Sequence, residues 1–255
     1  MKKGKLIVGN WKMNPQTLRD ATKLFKDVVR EVRIITKASV AVCVPDVYLN
    51  PLSALKEKKV SLGAQDLFWE KEGPFTGETS AAMVANSGAK MVIVGHSERR
   101  ARGESDEDIA RKVKAALAAK LIPILCVGER ERAGEGEHIS FVTAQLTAAL
   151  KGLPRADASR VVVAYEPIWA IGKQAKRSAT KEEGLEMAIV IRRALSHLFT
   201  RPVAESIPIL YGGSVDEKNA KDFLFDAGMD GLLVGRASLS AKTFGGIIRT
   251  ANAGI

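Results

Sequence analysis

Short apolar runs alternate along this chain with longer segments whose apolar residues recur at helical spacing. The runs occupy residues 6–9, 40–44, 60–64, 91–95, 122–128, 161–165, 207–211 and 231–235. Brief runs dominated by Val, Ile and Leu, without polar alternation, predict strands buried on both faces. Between them, Leu18, Ala21, Phe25, Val28 and Val32 form an i, i+3, i+4 stripe, as do Ile109, Val113 and Leu117. Leu185, Ala188, Arg192, Leu195 and Leu198 form a third stripe, with Arg192 as its polar exception. Ser105-Asp106-Glu107-Asp108 and Thr180-Lys181-Glu182-Glu183 fit capping boxes at helix starts, where an acidic side chain also meets the positive end of the helix dipole. Strands alternating with helices imply a parallel sheet with right-handed crossovers. Eight such units in about 250 residues match the size of a (β/α)8 barrel. The expected fold class is therefore α/β, a single (β/α)8 barrel domain spanning residues 1–255. A doubly wound open sheet usually carries a glycine-rich loop after its first strand, and here that position reads Gly9-Asn10-Trp11-Lys12.

In such a barrel, residues at the C-terminal ends of the strands converge on one site. The run at 164–172 reads AYEPIWAIG. Pro167 ends the strand because it has no N–H for the ladder, so Glu166 is placed at the mouth of the sheet. Trp169, Ile171 and Gly172 make an apolar loop able to cover that mouth, and a carboxylate closed off from water is a candidate general base. The other strand ends supply Asn10 and Lys12, His96 with Ser97, Glu98 and Arg99, Gly212-Gly213-Ser214, and Gly235-Arg236. Glycines let the backbone approach closely, and the N–H groups of Ser214, Gly235 and Arg236 can form a nest for phosphate where strands seven and eight end. Lys12 adds a positive charge, and neutral His96 and Asn10 can donate to an oxygen that gains charge. These groups suit a cofactor-free proton transfer on a phosphorylated carbonyl compound. The remaining histidines, His138 and His197, lie on predicted helical segments, so no metal-ligand spacing is evident. Ser97 beside His96 is a sequence neighbour, not the geometric partner that a nucleophilic triad requires.

The chain has 255 residues, 46% apolar and 27% charged, which fits a globular protein with a full core. No apolar stretch approaches the roughly 18–20 residues that span a membrane. The two cysteines, Cys43 and Cys126, sit in apolar runs, so buried reduced thiols and a cytoplasmic setting are expected. The net charge of +10 reads first as a solvated basic surface and second as attraction to an anionic partner, a phosphorylated metabolite or nucleic acid. The basic residues are spread along the chain with no aromatic residues interleaved in a dense cluster, which argues against nucleic acid as the main partner.

Five motifs resemble the triosephosphate isomerase family: Gly9-Asn10-Trp11-Lys12-Met13-Asn14, Val94-Gly95-His96-Ser97-Glu98-Arg99-Arg100, Ala164 to Gly172, Tyr211-Gly212-Gly213-Ser214-Val215 and Leu233-Val234-Gly235. They fall in order across nearly the whole chain. The resemblance implies a TIM barrel that interconverts dihydroxyacetone phosphate and glyceraldehyde 3-phosphate through an enediolate, with no cofactor and no metal. It implies Glu166 as the proton-shuttling base, His96 as the neutral electrophile, and Lys12 and Asn10 as stabilisers of the anionic intermediate. Gly172, Ser214, Gly235 and Arg236 are then phosphate contacts through backbone N–H groups. Glu98, Ser97, Cys126 and Glu129 resemble the family's supporting residues. Residues 63–78, with Leu67, Phe68, Trp69 and Phe75, resemble its intersubunit loop, which implies a homodimer with Thr76 reaching the partner's active site.

The chain departs from the family pattern at three places. The segment Lys173-Gln174-Ala175-Lys176-Arg177-Ser178-Ala179-Thr180 is about two residues longer than the family lid and lacks its second glycine. A paired glycine after strand eight is replaced by Gly235-Arg236. The acidic turn at Glu104 comes one residue closer to His96. The altered lid and Arg236 motivate a second reading, an isomerase for a slightly larger ketose phosphate. A non-catalytic phosphate binder would leave the base Glu166 without a use.

Overall fold

The computed structural model of the protein describes residues 4–132, 136–172, 175 and 177–254. Eight parallel strands close in chain order: β1 (Leu6–Asn10), β2 (Ser39–Val44), β3 (Val60–Ala64), β4 (Met91–Val94), β5 (Ile122–Val127), β6 (Val162–Tyr165), β7 (Ile209–Tyr211) and β8 (Gly231–Val234). Closure comes from β1, which pairs Leu6–Asn10 with β2 and Leu6–Gly9 with β8, so the sheet has no free edge. The outer layer contains α1 (Leu18–Glu31), α2 (Asp46–Ser53), α3 (Ala81–Asn86), α4 (Ser97–Arg100), α5 (Asp106–Ala118), α6 (Glu137–Leu150), α7 (Arg155–Ala158), α8 (Lys181–Leu198), α9 (Arg201–Ser206) and α10 (Ala241–Ala253). The α/β class and the (β/α)8 barrel thus hold.

Alternation along each strand produces two cores. Val8, Cys43, Ile93, Cys126, Ala164 and Leu233 are among the side chains that fill the barrel interior. The intervening positions, such as Ile7, Val42, Val92, Val163 and Tyr211, pack outward against the helices. Burial on both faces is why these strands read as continuous apolar runs.

The apolar runs extend past the ladders at several ends, for backbone reasons. Pro208 has no N–H to give a ladder, and β7 begins one residue later, at Ile209. Gly95 adopts φ +71° and leaves the ladder after Val94, turning the chain so that His96 begins the next segment. At the other end of the range, β1 includes Asn10, whose register partner is Cys43.

Helix starts follow the predicted chemistry. Ser105 accepts from Asp108 N–H while the Asp108 carboxylate accepts from Ser105 N–H, and Thr180 and Glu183 make the same reciprocal pair. The stripe expected to bury α8 is corrected. Leu185 is 41% exposed, and Ala188, Arg192 and Leu198 are only partly buried; of the predicted set, Leu195 alone is fully covered. The face against the barrel is Gly184, Met187, Ile191, Ala194 and Leu195. Both stripes have helical spacing, and the small Gly184 beside Phe223 lets the helix approach on the second of them.

Candidate active site

A cavity of about 540 Å³ opens at the C-terminal ends of the strands. Asn10, Lys12, His96, Glu166, Gly172, Ser214, Gly235 and Arg236 all line it, so every residue expected to act on or bind the substrate meets in one place. They come from the ends of five strands, β1, β4, β6, β7 and β8, brought together only by barrel closure.

Glu166 follows β6 and is 2% exposed. Its Oε2 accepts from the Ser97 N–H at 3.0 Å, and its Oε1 lies 3.2 Å from His96 Nε2. The Glu98 N–H donates to His96 Nδ1 at 3.1 Å. An amide can only donate, so Nδ1 is an acceptor and the ring proton sits on Nε2, pointing at Glu166. Cys126 lies behind this pair: burial, and next the Glu166 carboxylate, push its thiol well above the ordinary range, so it stays protonated beside the carboxylate. Gly128 packs against the Glu166 backbone, where a Cβ would come within 1.8 Å of the Glu166 carbonyl oxygen. Any side chain there would displace Glu166.

Lys12 is held by its backbone. It adopts φ 53°, a left-handed conformation that a lysine rarely takes. Its N–H donates to Asn10 Oδ1 at 3.0 Å, and its carbonyl accepts from Gln65 Nε2 at 2.8 Å. Gln65 also donates to the Cys43 carbonyl at 3.1 Å, tying β2 to the loop after β1. The Lys12 ammonium meets Glu98 Oε1 at 2.5 Å. Burial opposes charge on Glu98, but the hydrogen bond and charge of Lys12 outweigh it and hold the carboxyl below its usual range. Glu98 therefore touches both His96, through its N–H, and Lys12, through its carboxylate. Gln65 had no distinguishing signal in the sequence beyond its place in a loop.

The opposite wall of the cavity is backbone. The N–H groups of Gly213, Ser214, Gly235 and Arg236 make no hydrogen bond among the described residues, and all four residues face the cavity. Converging free N–H groups attract an anion. Gly172 lines the cavity from the Glu166 side.

The loop after β6 is anchored at both flanks. Glu129 Oε1 accepts from Tyr165 Oη at 2.8 Å and from Trp169 Nε1 at 2.7 Å. Arg177 stacks 4.6 Å from the Trp169 ring centre and forks onto both Glu183 oxygens, at 2.8 and 2.5 Å. That fork, ahead of the partial burial that opposes it, draws the Glu183 carboxyl down to about 2. Within the longer segment, Lys173, Gln174 and Lys176 lie outside the described residues.

Glu104 sits in a buried ion cluster away from the cavity. Lys112 bonds Asp66 at 2.7 and 2.9 Å and also bonds Glu104, while Arg99 reaches Asp66 at 2.7 Å and Glu104 at 3.2 Å. Thr76 is exposed on the loop between β3 and α3 and does not line the cavity of its own chain. Phe68 rests on Trp69 and Phe75 at 4.1 and 4.7 Å between ring centres, and Leu67 is buried in its own barrel.

Fold and site together define a (β/α)8-barrel enzyme with a buried carboxylate, a histidine and unbonded backbone N–H groups around one cavity at its strand ends. A family model described as triosephosphate isomerase matches residues 5–251. With it, the chain belongs to the triosephosphate isomerase family. A triosephosphate isomerase of Rhodopirellula baltica is 43% identical over 249 residues, covering 96% of this chain and 97% of that protein. One of Roseiflexus sp. is 44% identical over 242 residues, covering 94% of each. The crystal structure of triosephosphate isomerase from Bartonella henselae matches with a TM-score of 0.84 at 33% identity, covering 96% of this chain and 98% of that one.

Proposed function

We propose that this chain is a triosephosphate isomerase, interconverting dihydroxyacetone phosphate and D-glyceraldehyde 3-phosphate by proton transfer through an enediolate, with residues 1–255 acting as one barrel domain. The observation that carries this reading is the contact of Glu166 Oε1 with His96 Nε2 at 3.2 Å, inside a cavity whose other wall holds four N–H groups unbonded among the described residues. The substrate carbonyl takes over the His96 Nε2–H, which frees Glu166 Oε1 to remove the proton from the adjacent carbon. The electron pair moves into an enediolate whose oxygens face donors from His96, Asn10 and Lys12. Glu166 then returns the proton to the neighbouring carbon, as the hydroxyl proton passes from the first oxygen to the second by way of His96 Nε2, which gives up its proton to one oxygen and takes one from the other. The phosphate rests on the N–H groups of Ser214, Gly235 and Arg236, with Gly172 closing from the β6 loop. Ser97 aims the carboxylate through its N–H, Glu98 fixes the histidine tautomer, and Cys126 supports Glu166 from inside the barrel. A coupled assay on the purified protein tests the reading. We expect turnover of triose phosphate, a specificity constant at least about 10-fold above that for a tetrulose phosphate, and only traces of methylglyoxal. Absence of turnover would sink the isomerase reading.

The segment following Gly172 acts in this proposal as a lid, hinged at Pro167–Trp169 and at residues 177–179. Its anchors are the Trp169–Glu129 bond and the Arg177–Glu183 fork. Slow turnover with abundant methylglyoxal would mean that this lid does not shield the enediolate.

The chain also functions in this proposal as a homodimer. Met13 is 83% exposed, Val47 75%, Phe75 39% and Met83 55%, and these side chains belong to consecutive βα units at one side of the barrel. Exposed apolar side chains on three neighbouring units suit burial against a second copy of the chain, with Thr76 directed to the partner's site. Sedimentation of the paired substitutions Met13→Glu and Phe75→Glu is expected to yield monomers. An active monomeric parent protein at nanomolar concentration would contradict the dimer. Two free buried thiols, Cys43 and Cys126, and the absence among the described residues of a helix able to cross a membrane favour a cytoplasmic location, which cell fractionation checks.

A further inference from the structure

Charge around the cavity is unevenly compensated. Of the charged side chains that line it, Lys12 is bonded to Glu98 at 2.5 Å, so much of its charge is already offset. Glu166 is a buried carboxylate. Asp216 spends its Oδ1 on the N–H groups of Lys218 and Asn219. Arg236 is the remaining charged residue, exposed at the rim, and its guanidinium has no hydrogen bond or ion pair among the described residues. A phosphate monoester is close to a dianion at neutral pH. Brought into this cavity, it meets the repulsion of Glu166 and Asp216, and the four backbone N–H groups carry only partial charges.

We propose that the Arg236 side chain is a further substrate-binding residue, a second hand on the same phosphate whose oxygens rest on its own N–H and those of Gly213, Ser214 and Gly235. A phosphate at the Arg236 N–H lies within the span of that residue's own side chain. Guanidinium is planar and always charged, and its fork matches two phosphate oxygens at once. Its contribution grows with the charge on the phosphate, so it favours the dianion over the monoanion. This inference rests on the isomerase reading only for the identity of the substrate; the phosphate contact itself needs no turnover.

The test is direct binding and kinetics for Arg236→Met and Arg236→Lys. Probes are inorganic phosphate, glycerol 3-phosphate and 3-phosphoglycerate, each at low and high salt, followed by the KM and kcat for dihydroxyacetone phosphate across about pH 5.5 to 8. For Arg236→Met we expect Kd for inorganic phosphate and for glycerol 3-phosphate to rise together by about 10-fold at low salt. The kinetic loss falls on KM more than on kcat, and the advantage of dianion over monoanion shrinks. Arg236→Lys recovers part of the affinity, because it keeps the charge and loses the fork. Values of Kd for both phosphate probes within 2-fold of the parent overturn the proposal. So does a loss confined to 3-phosphoglycerate, which would mean that Arg236 reads a second anionic group, or a loss confined to kcat. If the parent protein has no isomerase activity but binds phosphate in an Arg236-dependent way, the functional reading fails and this inference stands.

Discussion

Glu166→Gln is expected to abolish isomerisation, with kcat falling about 10²- to 10⁴-fold, the range that a positioned general base supplies. Gln matches the shape of Glu but cannot take the proton. It also has a single acceptor oxygen, whereas the wild-type carboxylate receives two donors, the Ser97 N–H at 3.0 Å and the His96 Nε2–H at 3.2 Å. The histidine cannot escape by changing tautomer, because its Nδ1 must accept the Glu98 N–H. One buried donor is therefore left facing an NH₂ group, at a cost of about 1–3 kcal/mol. The variant should show a lowered melting temperature together with the lost turnover, while affinity for inorganic phosphate is kept or rises, because the substitution removes one negative charge from the cavity. Activity within 10-fold of the parent would remove Glu166 from its role as base.

Lys112→Met is expected to have the largest effect on stability, about 3–5 kcal/mol. The ammonium is 3% exposed and is shared between Asp66 and Glu104. Removing it leaves two carboxylates in a low-dielectric site with only Arg99 between them. Glu104 Oε2 is already buried without a hydrogen bond. The pH dependence has a definite sign. Burial pushes Asp66 up to about 6 against the pull of Lys112 and Arg99, above the ordinary aspartate value of about 3.9. A raised folded value means that the favourable contribution of the protonated group is full below about pH 4 and is lost as pH rises through about 6. Without Lys112 this loss deepens. Denaturant unfolding at fixed protein concentration should reveal a larger gap between variant and parent near pH 8 than near pH 5. An equal gap at both values, or a total loss under about 1 kcal/mol, would show that Lys112 is not what holds these carboxylates.

Much of the fold was legible because strands buried on both faces have no polar alternation to confuse them. Their ends were less legible, since Gly95 and Pro208 act through φ and through a missing N–H while sitting inside or beside apolar runs. The face of α8 was misread because two stripes with the same helical spacing compete along it. Leu185 and Ile189 end up exposed, and Met187 and Ile191 are buried. Helical periodicity identifies an element; the neighbour that it packs against selects the face. Lys112 was equally hidden, because a lysine on an amphipathic helix reads as solvated until Asp66, Arg99 and Glu104 are brought to it.

By itself the sequence determined the eight strand–helix units and which polar residues stand at each strand end, since both follow from local patterning and from residues such as Pro167 that stop a ladder. It also marked the cavity residues, because polar groups directly after buried strands have no structural reason to recur at the same end. Tertiary structure alone decided how those groups act on one another. Closure of β1 onto β8 sets Lys12 and Arg236 around the same cavity, and the packing of β4 beside β5 and β6 sets His96 against Glu166 across 70 positions of chain. Tautomer, charge compensation and unbonded N–H groups are properties of pairs distant in sequence. Distances of about 3 Å between such groups exist only after the barrel has closed.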